Sequence, residues 1–277
     1  HVKKEYEDFT LELDMHIPEN RVTGLIGANG AGKSTIFKLM LGLIRPDAGD
    51  VKVFEKKAGE LSAEDRQKIG TVFSDSGFSE YLTVQQVGRI MQEFYPDFEP
   101  EQFYRRCEYF HIPQKKKIKE FSTGMKAKLK ILLAVSHDSR LLILDEPTAG
   151  LDVIAREEIL DLLREYMEVP GRSVVLSSHI SGDLEHFCDD LYMIDKGKIV
   201  LHEETDRIME EYGLLKMSEQ EFTGLDKEYL LRVRKESFGY SCLTDQRTYY
   251  LENYPMIVNE KGNIDEVIAM LVKGERV

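Results

Sequence analysis

Cysteine is scarce, with three residues, Cys107, Cys188 and Cys242, that are far apart, odd in number and never in C-x-x-C spacing. That pattern excludes a disulfide framework, suggests no zinc site, and fits a reducing cytosol. Proline is sparse at 8 residues, while 42% of the chain is hydrophobic and 31% charged, so a disordered or low-complexity chain is excluded. No run approaches the roughly 18 consecutive apolar residues of a membrane span. Even Ile36 to Ile44 is broken by Lys38. The N-terminal residues show no charged-then-apolar pattern, so a signal segment is not expected there, and His1 stands where a Met would start a chain. Positive charge is in deficit: 37 basic against 50 acidic residues leave a net −13. Such a surface repels a phosphate backbone, and no nucleic-acid partner is expected. The basic run Lys115 to Lys119 reads as a solvated face that does not reverse this balance.

What remains is a chain of 277 residues, enough for one large domain or one domain with an appendage at about 150 residues per domain. Phe9 to Ile17 alternates apolar and polar residues, as a half-exposed antiparallel strand would. Val22 to Ile26 leads into a glycine loop, and three later runs, Ile69 to Phe73, Leu141 to Leu144 and Val174 to Leu176, are largely apolar. Strands of that kind are covered on both faces, as in a parallel sheet flanked by helices. Residues 84–138 read as a helical insertion, punctuated by Pro96, Pro100 and Pro113. From about Met209 the texture changes to strand-like pieces, Tyr229 to Arg234 and Thr248 to Glu252, before a helical Asn263 to Lys273. The expectation is therefore an α/β domain over 2–208 and a small α+β extension over 209–277.

Gly27, Ala28, Asn29, Gly30, Ala31, Gly32, Lys33 and Ser34 fit G-x-x-x-x-G-K-S/T between a strand and a helical pattern. Such a loop turns successive N–H groups toward a phosphate, and the following helix adds the positive end of its dipole. Lys33 is expected at the β and γ phosphates, Ser34 on Mg²⁺, and Thr35 beside the α phosphate. Leu141 to Leu144 is followed by Asp145 and Glu146, at the sheet edge where open α/β folds bind ligands. Asp145 suits a partner of Mg²⁺ and Glu146 suits the orientation and deprotonation of an attacking water. A helix cap before Pro147 and Thr148 is the alternative use of that acid pair.

Together with Phe121 to Met125, Ala149 to Asp152, and Ser178 with His179, these segments occur in the order and spacing of an ATP-binding cassette (ABC) ATPase, which residues 2–208 resemble. The resemblance implies ATP and Mg²⁺ as cofactors and a P-loop NTPase fold with an antiparallel N-terminal β subdomain and the inserted helices. It also implies that Ser122, Thr123 and Gly124 contact the γ phosphate bound by a second cassette. That signature is degenerate, and in isolation it equally describes a helix capped by Ser122. Further, it implies that His179 hydrogen-bonds the γ phosphate and that Asp152 bridges two cassettes, though an acid there also caps a helix. Tyr6 is the candidate for stacking on adenine, with Phe9 as fallback; partly buried packing is the plainer use of such a ring.

One position departs from the family. Where it carries a glutamine that touches Mg²⁺ and senses the membrane partner, this chain has Ser74, followed by Asp75. Either Ser74 ligates through water, Asp75 substitutes, or coupling is altered. The resemblance is to bacterial two-gene exporters whose cassette subunit has a small C-terminal extension. It implies a separate transmembrane permease, a homodimer or heterodimer of cassettes, and a cytoplasmic location on the inner face of the membrane. A soluble ABC ATPase acting on a non-membrane protein complex is the alternative. For residues 209–277 a regulatory or dimer-stabilising role stands beside a purely structural one.

Overall fold

The computed structural model describes residues 1–73 and 77–276. Six strands form the central sheet, in the order Lys198–Glu204, Asp190–Asp195, Val22–Ile26, Ser173–Ser177, Leu141–Asp145 and Ile69–Val72. All neighbours run parallel except the first pair, an antiparallel hairpin at one edge. Leu142 lies beside Val174 and Ile143 beside Val175, so consecutive residues enter different cores. Leu142, Leu144, Val174 and Leu176 pack into one cluster, and Ile143, Val175 and Leu25 into the other. With apolar layers on both faces the strands gain nothing from alternation, which is why they are continuous in the sequence.

The second of these cores lies under the helix Lys33–Met40 and the N-terminal strands, and is built from residues such as Leu11, Phe37, Leu39 and Tyr192. There Val2–Glu5 sits between Thr10–Leu13 and Ala48–Gly49, all antiparallel. The strand that alternation extends to Ile17 ends at Leu13. Beyond it a side chain takes over the hydrogen bonding: the Tyr192 hydroxyl accepts from His16 N at 3.2 Å and donates to His16 O at 2.8 Å.

The helical insertion consists of Val84–Phe94, Pro100–Tyr109 and Thr123–Val135. A reciprocal Thr83 and Gln86 capping box opens the first, and Pro100 occupies the first turn of the second, where its missing N–H costs nothing. Among the described residues no helix is long and apolar enough to cross a membrane.

After Thr205–Glu211 the chain builds a four-stranded antiparallel sheet ordered Leu230–Glu236, Gly239–Thr244, Gly213–Met217 and Val258–Lys261. Thr248 to Glu252, strand-like in composition, is instead part of a helix, Arg247–Asn253. Its β-favouring residues include Tyr250, and the tertiary contacts of that ring decide the outcome. Tyr250 is 1% exposed there, clustered with Leu215, Met217 and Cys242. The opposite face of this sheet, through Leu214 and Leu243, joins the central-sheet core together with Ile264, Val267, Met270 and Leu271 of the helix Ile264–Lys273. The C-terminal region therefore shares hydrophobic interior with the nucleotide-binding part. All three cysteines are free and buried, and burial pushes the Cys107 and Cys242 thiols up to about 12, which leaves them unreactive at neutral pH.

Candidate active site

The glycine loop connects the end of Val22–Ile26 to the helix that begins at Lys33. It admits no side chain at Gly27, where a Cβ would stand 2.3 Å from the Ile194 carbonyl oxygen. Gly32 has φ +118°, and a Cβ there would lie 2.7 Å from Leu11 Cδ1. Strands on two sides thus press the loop into shape, and glycine is what lets them approach. Lys33 is 7% exposed. Its Nζ donates to the carbonyls of Gly27 at 2.6 Å and Ala28 at 3.4 Å, curling over the loop whose N–H groups it accompanies.

Across from the loop, strand Leu141–Asp145 delivers the two acids. Asp145 accepts from Ser34 Oγ at 3.0 Å and from Ser177 Oγ at 2.6 Å. Glu146 has a left-handed backbone, φ 51°, which for a non-glycine residue costs on the order of 1 kcal/mol or more. Ser177 Oγ offsets part of that by accepting from Glu146 N at 3.0 Å. The turn aims the carboxylate back over the sheet edge. There Glu146 Oε1 lies 4.0 Å from Lys33 Nζ, and Oε2 lies 2.5 Å from His179 Nδ1. His179 follows strand Ser173–Ser177 and is 60% exposed, against a carboxylate that is itself 21% exposed.

A cavity of about 700 Å³ opens over this edge, lined by Ala28, Asn29, Gly30, Gly32, Lys33, Ser34 and Thr35, by Asp145 and Glu146, and by Tyr6, Asp8 and Phe9. Tyr6 is 47% exposed, with its ring 6.3 Å from that of Phe9. A cavity of similar size, about 780 Å³, lies at the other end of the sheet against Leu13, Met40 and Leu141 and is lined by none of the candidate site residues. A third, about 730 Å³, runs from Asp145 and Glu146 along the helical insertion to Tyr95 and His137. Burial pushes the His137 imidazole down to about 4, so it stays neutral against the Tyr95 ring, 4.2 Å away.

The fold does not bring everything together. Ser122 caps Thr123–Val135 by accepting from Met125 N at 3.2 Å, and Ser122 and Thr123 are exposed, outside the glycine-loop cavity. Gly124 is half-buried, its Cβ position 3.3 Å from Ala155 Cβ. Asp152 caps Val153–Met167, accepting from Ala155 N at 2.9 Å, and is exposed beside Val153 and Ile154. Ser74 and Asp75 lie outside the described residues. Sequence reasoning missed Ser177, which binds both acids. The signal available was its place at the end of an apolar strand, two residues before His179.

An all-oxygen pair, the Ser34 hydroxyl and the Asp145 carboxylate at 3.0 Å, is the hard donor set that suits Mg²⁺, which takes one or two protein ligands and fills the rest with water and phosphate. No group of three or more His, Cys, Asp or Glu side chains among the described residues could hold a metal by itself.

Residues 11–149 match the ABC transporter family. A lantibiotic transport ATP-binding protein of Streptococcus pyogenes, SrtF, is 35% identical over 211 residues, 74% of this chain and 89% of its own length. The ABC transporter ATP-binding protein YtrB of Bacillus subtilis is 25% identical over 279 residues, 96% of this chain and 93% of its own. Among solved structures, an ATP-binding subunit of an ABC transporter superposes with a TM-score of 0.67 at 26% identity, covering 75% of this chain and 89% of that one.

Proposed function

The chain belongs to the ABC transporter family as an ATP-binding, ATP-hydrolysing subunit, and we propose which of its residues carry the reaction and what it drives. In this reading residues 2–208 form the cassette and 209–277 an extension. The observation that carries it is the position of Glu146, between Lys33 and His179 at the mouth of the glycine loop. The loop N–H groups and Lys33 bind the β and γ phosphates, neutralising charge as the terminal bond breaks. Glu146 accepts the proton of the attacking water, and its left-handed turn holds the carboxylate at the sheet edge for that task. His179 donates through its ring to Glu146 or to the phosphoryl oxygens. Tyr6 offers a face to the adenine. Mg²⁺, held by Ser34 and Asp145, would supply charge neutralisation at the phosphates.

Ser122, Thr123 and Gly124 are exposed or half-buried away from this cavity, so they serve a second cassette, with Asp152 at the seam. The partner that couples hydrolysis to transport is a separate transmembrane permease, which places the chain on the inner face of the membrane. SrtF, a lantibiotic transport protein, supports a transporter over a soluble machine. Glu146→Gln with ATP and Mg²⁺ tests the composite site. It is expected to bind ATP, form a dimer by light scattering, and turn over about 10²-fold more slowly. A variant that stays monomeric at high concentration overturns the homodimer, and one with wild-type turnover removes Glu146 from the reaction.

A further inference from the structure

The short helix Ser181–Phe187 begins two residues after His179 and is held from two sides. Inward, Asp183 is fully buried. It accepts from Thr148 Oγ1 at 2.5 Å and from Arg156 Nε, with which it forms an ion pair. Thr148 lies just beyond Glu146, and Arg156 sits one helical turn beyond Asp152. One buried carboxylate therefore joins the loops that carry Glu146, Asp152 and His179, and both partners are needed to satisfy it. The packing is close: a Cβ at Gly182 would stand 3.0 Å from an Arg156 guanidinium nitrogen.

Outward, the same helix meets the C-terminal region. Ser181 Oγ donates to Asp265 Oδ2 at 2.8 Å, and Ile264 N donates to Glu185 Oε1 at 3.3 Å. Leu184 and Phe187 enter the core cluster that contains Ile264 and Val267. Asp265 stands in the first turn of Ile264–Lys273, whose start is fixed by Asn263 accepting from Glu266 N at 2.8 Å.

We infer that the helix Ile264–Lys273 is a clamp on the hydrolytic groups. Asp265 and the Glu185 contact set the position of Ser181–Phe187, Asp183 transmits it to Thr148 and Arg156, and His179 is kept against Glu146. The inference rests on the ATPase reading above. Asp265, Ser181 and Asp183 touch no reacting atom and are positioning residues, so the clamp acts on turnover. Nucleotide affinity is set elsewhere, by the loop between Val22–Ile26 and Lys33–Met40.

The test uses the full chain with Ser181→Ala, Asp265→Ala, the double variant and Ser181→Thr, all at a surface contact. Each alanine variant is expected to lower kcat by about fivefold with KM for ATP within about twofold of wild type. The double variant should be no slower than either single one, because the two side chains form one contact. Ser181→Thr, which keeps the hydroxyl, should recover most of the rate. Independently of activity, amide hydrogen exchange in Asp265→Ala should quicken at residues 178–184 and stay unchanged at 30–35. Unchanged exchange at 178–184, additive losses, or a loss confined to KM would overturn the clamp. Glu146→Gln runs beside these variants: wild-type turnover in it removes Glu146 from the reaction, while the exchange measurement still decides the clamp.

Discussion

The polar edge of the central sheet and the C-terminal four-stranded sheet are both rich in charge and hydroxyls, yet they use them in opposite ways. At the central edge, groups from three separate segments converge: Lys33 and Ser34 from a helix start, Asp145 and Glu146 from a strand end, and Ser177 and His179 from the end of the next strand. The convergence is maintained at a cost, with Glu146 in a left-handed conformation. In the C-terminal sheet the charges pair within one strand or across adjacent strands, Arg234 with Glu236 and Lys216 with Glu260. Its tyrosines gather around one short segment: Tyr249 donates to the Asp226 carboxylate at 2.9 Å, Tyr250 to the Asp226 carbonyl at 2.9 Å, and Tyr254 accepts from Asp226 N at 3.0 Å. Polar groups that satisfy one another on relaxed backbone build architecture; groups gathered onto one point against backbone preference are available for chemistry.

If that contrast is right, substitutions at the two places fail differently. The largest effect is expected from Lys33→Ala, which removes the one motif cation at the phosphates. ATP affinity should fall by about 100-fold or more, roughly 3 kcal/mol, as read by calorimetric titration, with the melting temperature of the nucleotide-free protein nearly unchanged. Next comes Tyr250→Ala, which empties a nearly fully buried ring site and orphans a carbonyl. It should cost about 3 kcal/mol in urea unfolding and leave ATP affinity as it was. A loss of affinity there would erase the distinction between the two regions. The smallest is Ser177→Ala, where a donor to Asp145 and an acceptor for Glu146 N vanish together. A decrease of about tenfold in kcat is expected, corresponding to about 1.4 kcal/mol, with stability changed by less than the Tyr250 variant.

Much of the central region was legible because its signals are contiguous. The glycine loop, the apolar strand before Asp145 and Glu146, and the Ser122 cap all depend on residues within a few positions of one another. Where contacts come from far along the chain, the sequence misleads or is silent. Thr248 to Glu252 has strand composition but becomes helix because Tyr250 answers to a sheet formed elsewhere. The strand after Thr10 stops at Leu13 because Tyr192, on another sheet, claims the backbone of His16. Ser177 and Asp183 carry no motif of their own, and what identifies them is the company that folding gives them.

The two faces of the central sheet also differ in when they can be completed as the chain is made. Among the described residues, the core under Lys33–Met40 draws on no buried residue beyond Ile194, so it can close while later segments are still being synthesised. The opposite core includes Ile264, Val267, Met270 and Leu271. Until those have cleared the ribosome, the helical side of the sheet keeps an apolar surface uncovered, and a nascent chain stalled before residue 264 is the species most exposed to aggregation and to chaperone capture.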